Sequence, residues 1–170
     1  LVNNVTAIYF REILVVRKML GGKPFDQKIL DFGCGWGTWL SLARSFGFNV
    51  YGMEIDPVKL EKCKNLHIDI VDFEAEENES LFDFINTEQV FEHLLNPSYF
   101  LEKLSSYLKD GGIIRISVPN GLHVEKALRD KSNWMTKNKS SKKSLNAVWP
   151  FEHINAYSPI TIEYMASQFS

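Results

Sequence analysis

A doubly wound α/β fold with a mostly parallel sheet is what this chain predicts, and three observations carry the prediction. Short apolar runs that suit buried strands alternate with stretches of apolar residues at helical spacing. Capping and turn residues stand at the junctions between them. The first strand-like run, Lys28 to Phe32, opens directly into Gly33-Cys34-Gly35-Trp36-Gly37, after which helix-compatible residues resume. Glycines placed between a strand and a helix serve a chain that needs positive φ, or a ligand that must approach bare backbone.

The elements follow in order. Val5, Tyr9, Ile13, Val16 and Leu20 form a helical stripe stopped by Gly21-Gly22, and Lys23-Pro24-Phe25-Asp26 is a turn before the first strand. After the glycines, Trp39, Leu42, Ala43 and Phe46 define a helix that Gly47 ends. Asn49 to Ile55 is the second strand, with Glu54 at its tip, and Asp56-Pro57 supplies an N-cap and an N1 proline for the next helix. His67 to Val71 reads as a short third strand, followed by Asp72-Phe73 and an acidic loop, and Leu81 to Thr87 as a fourth. Asn96-Pro97 caps a helix carrying Phe100, Leu101, Leu104 and Leu108, ended by Asp110-Gly111-Gly112, and Ile113 to Val118 is the fifth strand. Ser158-Pro159 opens a last helix with Ile162, Met165, Ala166 and Phe169 on its apolar side.

With 170 residues and a formal net charge of −2, the chain is expected to be a single domain, residues 1–170, without a global pull toward nucleic acid or an acidic membrane. Its apolar runs fall short of the roughly 20 residues of a membrane span. Cys34 and Cys63 lack CxxC spacing, which suits a reducing, cytoplasmic setting, and no metal site is expected. Residues 122–149 depart from the alternation: lysines among serines and asparagines read as a solvated loop, or as an insertion acting as a lid or acceptor-binding element.

The glycine spacing bears on the ligand. In the dinucleotide fingerprint G-x-G-x-x-G the third glycine falls one residue later than Gly37. The alternating G-x-G-x-G after Asp31 instead resembles motif I of the class I S-adenosylmethionine-dependent methyltransferases. Three further stretches strengthen the likeness: Glu88-Gln89-Val90-Phe91-Glu92-His93-Leu94, the run from Leu108 to Gly121, and Glu152-His153-Ile154-Asn155-Ala156-Tyr157-Ser158. The last is similar to a segment of the ubiquinone-biosynthesis and sugar-tailoring enzymes of that family. The resemblance implies a Rossmann-like methyltransferase fold that normally carries two more strands, one of them an antiparallel edge strand. The chain is therefore expected to continue beyond Ser170 and to leave one sheet edge open here; the start at Leu1 likewise suggests a piece of something longer.

The resemblance also implies roles. Gly33, Cys34, Gly35 and Gly37 would let backbone approach the methionine part of S-adenosylmethionine, with Asp31 near its amino end and the backbone around Asn86 and Glu88 meeting the amino acid moiety. Glu54 would accept hydrogen bonds from the ribose hydroxyls, Ile55 would pack on the adenine face, and Asp72 and Phe73 would flank the adenine. Glu54, Asp72 and the segment from Asn86 to Glu88 all fall at carboxyl ends of strands, where doubly wound sheets bind ligands.

For proton removal from a hydroxyl or amine acceptor the candidates among the four histidines are His153 and His93, while His67, inside a strand, reads as structural. The expected partner is a small-molecule acceptor. Two other readings stay open: a non-catalytic or partial cofactor-binding module of a larger multidomain protein, and a nicotinamide-dependent oxidoreductase. The oxidoreductase is disfavoured by the early third glycine. Calorimetry should accordingly show binding of S-adenosylmethionine or its demethylated product and no binding of NAD; the reverse result would overturn the reading of the glycine spacing.

Overall fold

The computed structural model describes residues 4–75, 79–122, 124 and 153–168. The elements are α1 (Asn4–Leu20), β1 (Lys28–Phe32), α2 (Thr38–Ser45), β2 (Asn49–Met53), α3 (Pro57–Asn65), β3 (Asp69–Ile70), β4 (Phe82–Glu88), α4 (Pro97–Ser106), β5 (Leu108–Ser117) and α5 (Pro159–Ser167). Single turns of 3₁₀ helix cover Pro24–Asp26 and Phe91–His93. The strands form one sheet in the order β3-β2-β1-β4-β5. β1 pairs in parallel with β2 on one side and β4 on the other, and β2 pairs in parallel with β3. Strand order reverses at β1, so the crevice beyond the carboxyl ends of β1 and β4 is the switch point of a doubly wound sheet.

Packing divides the chain into two compact units: Leu1–Thr87 with Leu104–Arg115, and Glu88–Lys103 with Ile116–Ser170. In the first, Ile13 and Val16 of α1, Trp39, Leu40 and Ala43 of α2, Cys63 of α3, and Ile29, Val50 and Phe84 of the strands form one buried cluster. Each fully buried aliphatic or aromatic side chain contributes about 1.5–3 kcal/mol relative to exposure. Parallel strands buried on both faces explain why β1 reads as an almost unbroken apolar run. The one acid in that run, Asp31, is only 4 % exposed. In the second unit, Phe91, Leu101 and Tyr157 are buried.

Local signals in the sequence act as expected at several ends. Asp56 caps α3 by accepting from the Val58 and Lys59 amides at 2.9 and 3.2 Å. Ser158 and Thr161 form a reciprocal capping box at the start of α5. Gly47, at φ +95°, follows α2.

Elsewhere the structure corrects the expectation. His67 is not in a strand: it sits in the turn after α3 at φ +56°, its amide donating to the Lys64 carbonyl at 2.9 Å, and β3 shrinks to Asp69–Ile70. The Asp110-Gly111-Gly112 run does not end α4. That helix stops at Ser106, because the Tyr107 carbonyl accepts from the Leu81 and Phe82 amides and Lys109 pairs with Asp83 at 2.7 Å, which draws the chain into β5 from Leu108. β2 ends at Met53, leaving Glu54 and Ile55 just beyond it, and β4 is shifted by one residue from the expected span. α5 buries none of its residues: Ile162 and Met165 are half-buried, Ala166 is exposed and Phe169 lies outside the described residues. The stretch 125–149, read as loop or lid, also lies outside them.

Replacing Asp56 with Ala removes the side-chain acceptor of two α3 amides. It should lower stability by about 0.5–2 kcal/mol in urea unfolding, whereas Ala in place of the exposed Glu61 should leave the midpoint nearly unchanged.

Candidate functional site

Beyond Phe32 the chain must reverse into α2 while staying against β2. The Gly33 and Cys34 amides both donate to the Met53 carbonyl at 2.9 Å, and Gly33, Gly35 and Gly37 take φ values of +76°, +55° and +69°. Side chains at the last two positions would meet different surroundings. A Cβ on Gly37 would lie 2.5 Å from Ile68 Cδ1 and 3.2 Å from Cys63 Sγ, while one on Gly35 would meet nothing within 4 Å. Gly37 is thus demanded by packing, and Gly35 borders open space.

Glu54, just beyond β2, closes this loop. Its Oε2 accepts from the Gly35 amide at 2.9 Å, and Oε1 accepts from the Ile55 and Asp56 amides at 2.8 and 3.0 Å. The sequence predicts ribose hydroxyls as its donors; in the structure three backbone amides already use most of the roughly four acceptor sites of a carboxylate. Ile55, 96 % exposed, presents a bare apolar side chain beside it.

Cys34 and Cys63 lie with their sulfurs 3.8 Å apart, and the Cys63 thiol also faces the Gly35 carbonyl at 3.3 Å. Burial, reinforced by the Asp31 carboxylate, pushes the Cys34 thiol far above its ordinary range, and burial raises Cys63 too. Both stay protonated at neutral pH, so they pack and tie the loop to α3 rather than act as nucleophiles.

At the carboxyl end of β1, Asp31 stands in register with Asn86 of β4 and Gly52 of β2. Its Oδ1 accepts from Asn86 Nδ2 at 2.8 Å. The Asn86 Oδ1 accepts in turn from Arg115 of β5 at 2.6 Å, and Arg115 pairs with Glu12 of α1 at 2.6 Å. Neither Arg115 nor Glu12 was expected from the sequence, although Arg115 is the single charge within Ile113 to Val118. Phe73 is half-buried against Phe32 and Tyr107, with ring centroids 5.6 and 6.0 Å apart. Asp72 is exposed and accepts from the Glu74 amide at 3.0 Å.

The histidine candidates belong to the second unit, as does Glu88 at the end of β4. The Ile154 and Asn155 amides donate to the Glu92 carbonyl, Asn155 Nδ2 to the Leu94 carbonyl at 2.6 Å, and the Tyr157 hydroxyl to the Phe91 carbonyl at 3.1 Å. These bonds set the rings of His93 and His153 edge to face, centroids 4.9 Å apart. Glu92 joins them: one donor atom from each of the three residues lies within 4.8 Å of the others. Its carboxylate is fully buried, and neither oxygen has a hydrogen-bond partner among the described residues. Burial, with that carboxylate nearby, pushes the Tyr157 hydroxyl up to about 12, so it remains a donor at neutral pH. Glu92 is the functional candidate that sequence reasoning missed; its adjacency to His93 was the available signal. Such a set can orient and charge-stabilise an imidazole, or hold a cation.

Gly37→Ala should lose about 1–3 kcal/mol from overpacking in addition to the left-handed penalty of about 1–2 kcal/mol. Gly35→Ala should incur that penalty alone, yet weaken a ligand seated on the loop. Paired urea melts and calorimetry check both halves.

Comparison with known proteins bears on the family. A family model described as a methyltransferase domain matches residues 9–169. A ubiquinone biosynthesis O-methyltransferase from Chelativorans sp. is 29 % identical over 131 residues, covering 69 % of this chain and 52 % of its own length. The chain thus spans about half the length of that curated relative. Among solved structures, an S-adenosylmethionine-dependent methyltransferase from Archaeoglobus fulgidus superposes with a TM-score of 0.64 at 16 % identity, over 96 % of this chain and 68 % of that one. Coclaurine N-methyltransferase, solved with N-methylheliamine and S-adenosylhomocysteine, superposes with a TM-score of 0.52 at 18 % identity, over 66 % of this chain and 36 % of that one. The family model spans nearly the whole sequence: the chain belongs to the methyltransferase domain family.

Proposed function

We propose that this chain is the S-adenosylmethionine-binding part of a methyltransferase that acts on a small-molecule acceptor. The observation that carries the reading is the pairing of a buried carboxylate, Asp31, with a glycine turn whose Gly35 opens onto free space, both at the carboxyl end of the central strand. Those residues fit the methionine part of the cofactor: a carboxylate for its ammonium group, and backbone that an amino acid can approach. The exposed Ile55 and the half-buried Phe73 suit an adenine, and the Glu54 carboxylate suits a ribose once the Gly35 amide yields its place.

When bound, S-adenosylmethionine supplies an already activated methyl group for in-line displacement. The protein's task is to orient the reactants and exclude water, and orientation alone is worth about 7–11 kcal/mol. His153, with His93 beside it and the buried Glu92 carboxylate nearby to favour a charged imidazole, would take the acceptor proton. The relatives' O-methyltransferase names favour a hydroxyl acceptor. The slight negative charge favours a metabolite over nucleic acid, and the cytoplasm is the setting we propose. Among the described residues no helix is long and apolar enough to cross a membrane. A second reading of the acceptor side is favoured by the gathering of Glu92, His93 and His153: the same donors could hold a divalent cation that binds the acceptor oxygen.

Incubation with methyl-labelled cofactor and a panel of phenols, amines and sugars should label an oxygen acceptor. Glu54→Ala should weaken cofactor binding about tenfold or more, equivalent to about 1.4 kcal/mol, against almost no effect of Glu74→Ala. Equal affinities of the two variants would remove Glu54 from the site. Activity that survives a chelator but falls with His153→Ala supports the base; activity lost to a chelator and restored by added Zn²⁺ or Mn²⁺ supports the cation.

A further inference from the structure

Three neighbouring strands place a residue each in two successive rows facing α1. The lower row is apolar, with Ile29 of β1 and Phe84 of β4 in the buried cluster and Ile113 of β5 packed on it. Two residues further along each strand stand Asp31, Asn86 and Arg115, and side chains two apart share a face. This upper row is joined end to end: Asp31 Oδ1 to Asn86 Nδ2 at 2.8 Å, Asn86 Oδ1 to Arg115 at 2.6 Å, and Arg115 to Glu12 of α1 at 2.6 Å.

The chemistry of the row fixes a direction. An arginine can only donate, so it must meet the oxygen end of the Asn86 amide, and the amide must turn its NH₂ end toward Asp31. With Asn86 1 % exposed, water is poorly placed to do the same. The Asp31 carboxylate, which only accepts, demands the NH₂ end of the same amide, so both neighbours enforce one orientation. Without the guanidinium the amide oxygen would be left buried with no donor from Arg115, and the amide would be less firmly held. Glu12 in turn holds the guanidinium, whose side chain is only 27 % exposed.

We propose that Arg115 is a positioning residue for the amino acid end of the cofactor, acting through Asn86 on the rotamer of Asp31, with Glu12 as its anchor. The proposal rests on the reading of Asp31 as the partner of the cofactor's ammonium group. Arg115 borders a cavity of about 400 Å³ shared with Val16, Phe84 and Ile113, so a shorter or apolar side chain has room there.

The test compares two ligands that share the adenosine and the thioether. S-adenosylhomocysteine carries the amino acid end; 5′-methylthioadenosine lacks it. By calorimetry, Arg115→Met should weaken S-adenosylhomocysteine by about fivefold to tenfold and leave methylthioadenosine within twofold, and Arg115→Lys should recover much of the loss. Retained methylthioadenosine binding also reports that the variant is folded. Equal weakening of both ligands would reveal a merely structural arginine, and unchanged or tighter binding of S-adenosylhomocysteine would show that orientation of the amide is not what matters; each overturns the proposal. Asp31→Asn separates the two levels. If it selectively weakens S-adenosylhomocysteine while Arg115→Met does not, the relay fails and the Asp31 reading stands. If the unaltered protein binds neither ligand, the cofactor reading fails and takes the relay with it.

Discussion

The parallel pairing of β1 between β2 and β4 is the constraint on which the rest depends. It brings three strand ends to one level, with Asp31 opposite both Gly52 and Asn86, and Phe32 opposite both Met53 and Thr87. The chain leaving β1 then has little room. Two successive amides share the Met53 carbonyl, and the glycines that follow turn in the left-handed region. Gly52 belongs to the same arrangement, because a Cβ there would come within 2.8 Å of Cys34 Sγ. The glycine at the end of β2 is what allows the loop after β1 to lie down on the sheet.

A loop held this way is a rigid platform rather than a flexible connection. Glu54 binds it from just beyond β2, the two thiols bind it to α3, and Gly37 leaves the space that Ile68 fills. Burial keeps both thiols protonated, so they contribute packing and weak hydrogen bonds instead of charge. The cost of these ties is that Glu54 spends most of its acceptor capacity on backbone. Its use by a ligand would be an exchange of donors, not the filling of an unsatisfied carboxylate.

The histidine segment is assembled on a different principle. Residues 153–157 are fastened to residues 91–94 by bonds that end on backbone carbonyls, two donated by backbone amides and two by the Asn155 and Tyr157 side chains, so the juxtaposition of the two histidines does not draw on the imidazoles themselves. What Glu92 adds is charge. A buried carboxylate without a hydrogen-bond partner among the described residues is costly unless something balances it. Two imidazoles within reach, able to carry a proton or share a cation with it, are the groups on hand to do so.

The sequence by itself determined the elements whose signals are local. β1 ends where the glycines begin, α3 starts at its Asp56-Pro57 cap, α5 at Ser158-Pro159, and the alternation of apolar runs dictates a parallel sheet with helices; each is encoded within a few residues. It also placed Asp31, the glycines, Glu54 and Asn86 at strand ends, because the end of a strand is visible in the pattern. Tertiary structure decided what depends on partners far along the chain. The turn at His67 is held by Arg44, 23 residues away, which donates to its carbonyl, and α4 stopped early because Tyr107 and Lys109 are claimed by the segment from Leu81 to Asp83. Arg115 reads as an odd charge in a strand until Asn86 and Glu12, 29 and 103 residues away, give it partners. Glu92 reads as one more acid until its neighbours bury it. Capping, turning and alternation are short-range physics, whereas hydrogen-bond pairing and burial between distant segments exist only once the sheet has fixed which strand lies beside which.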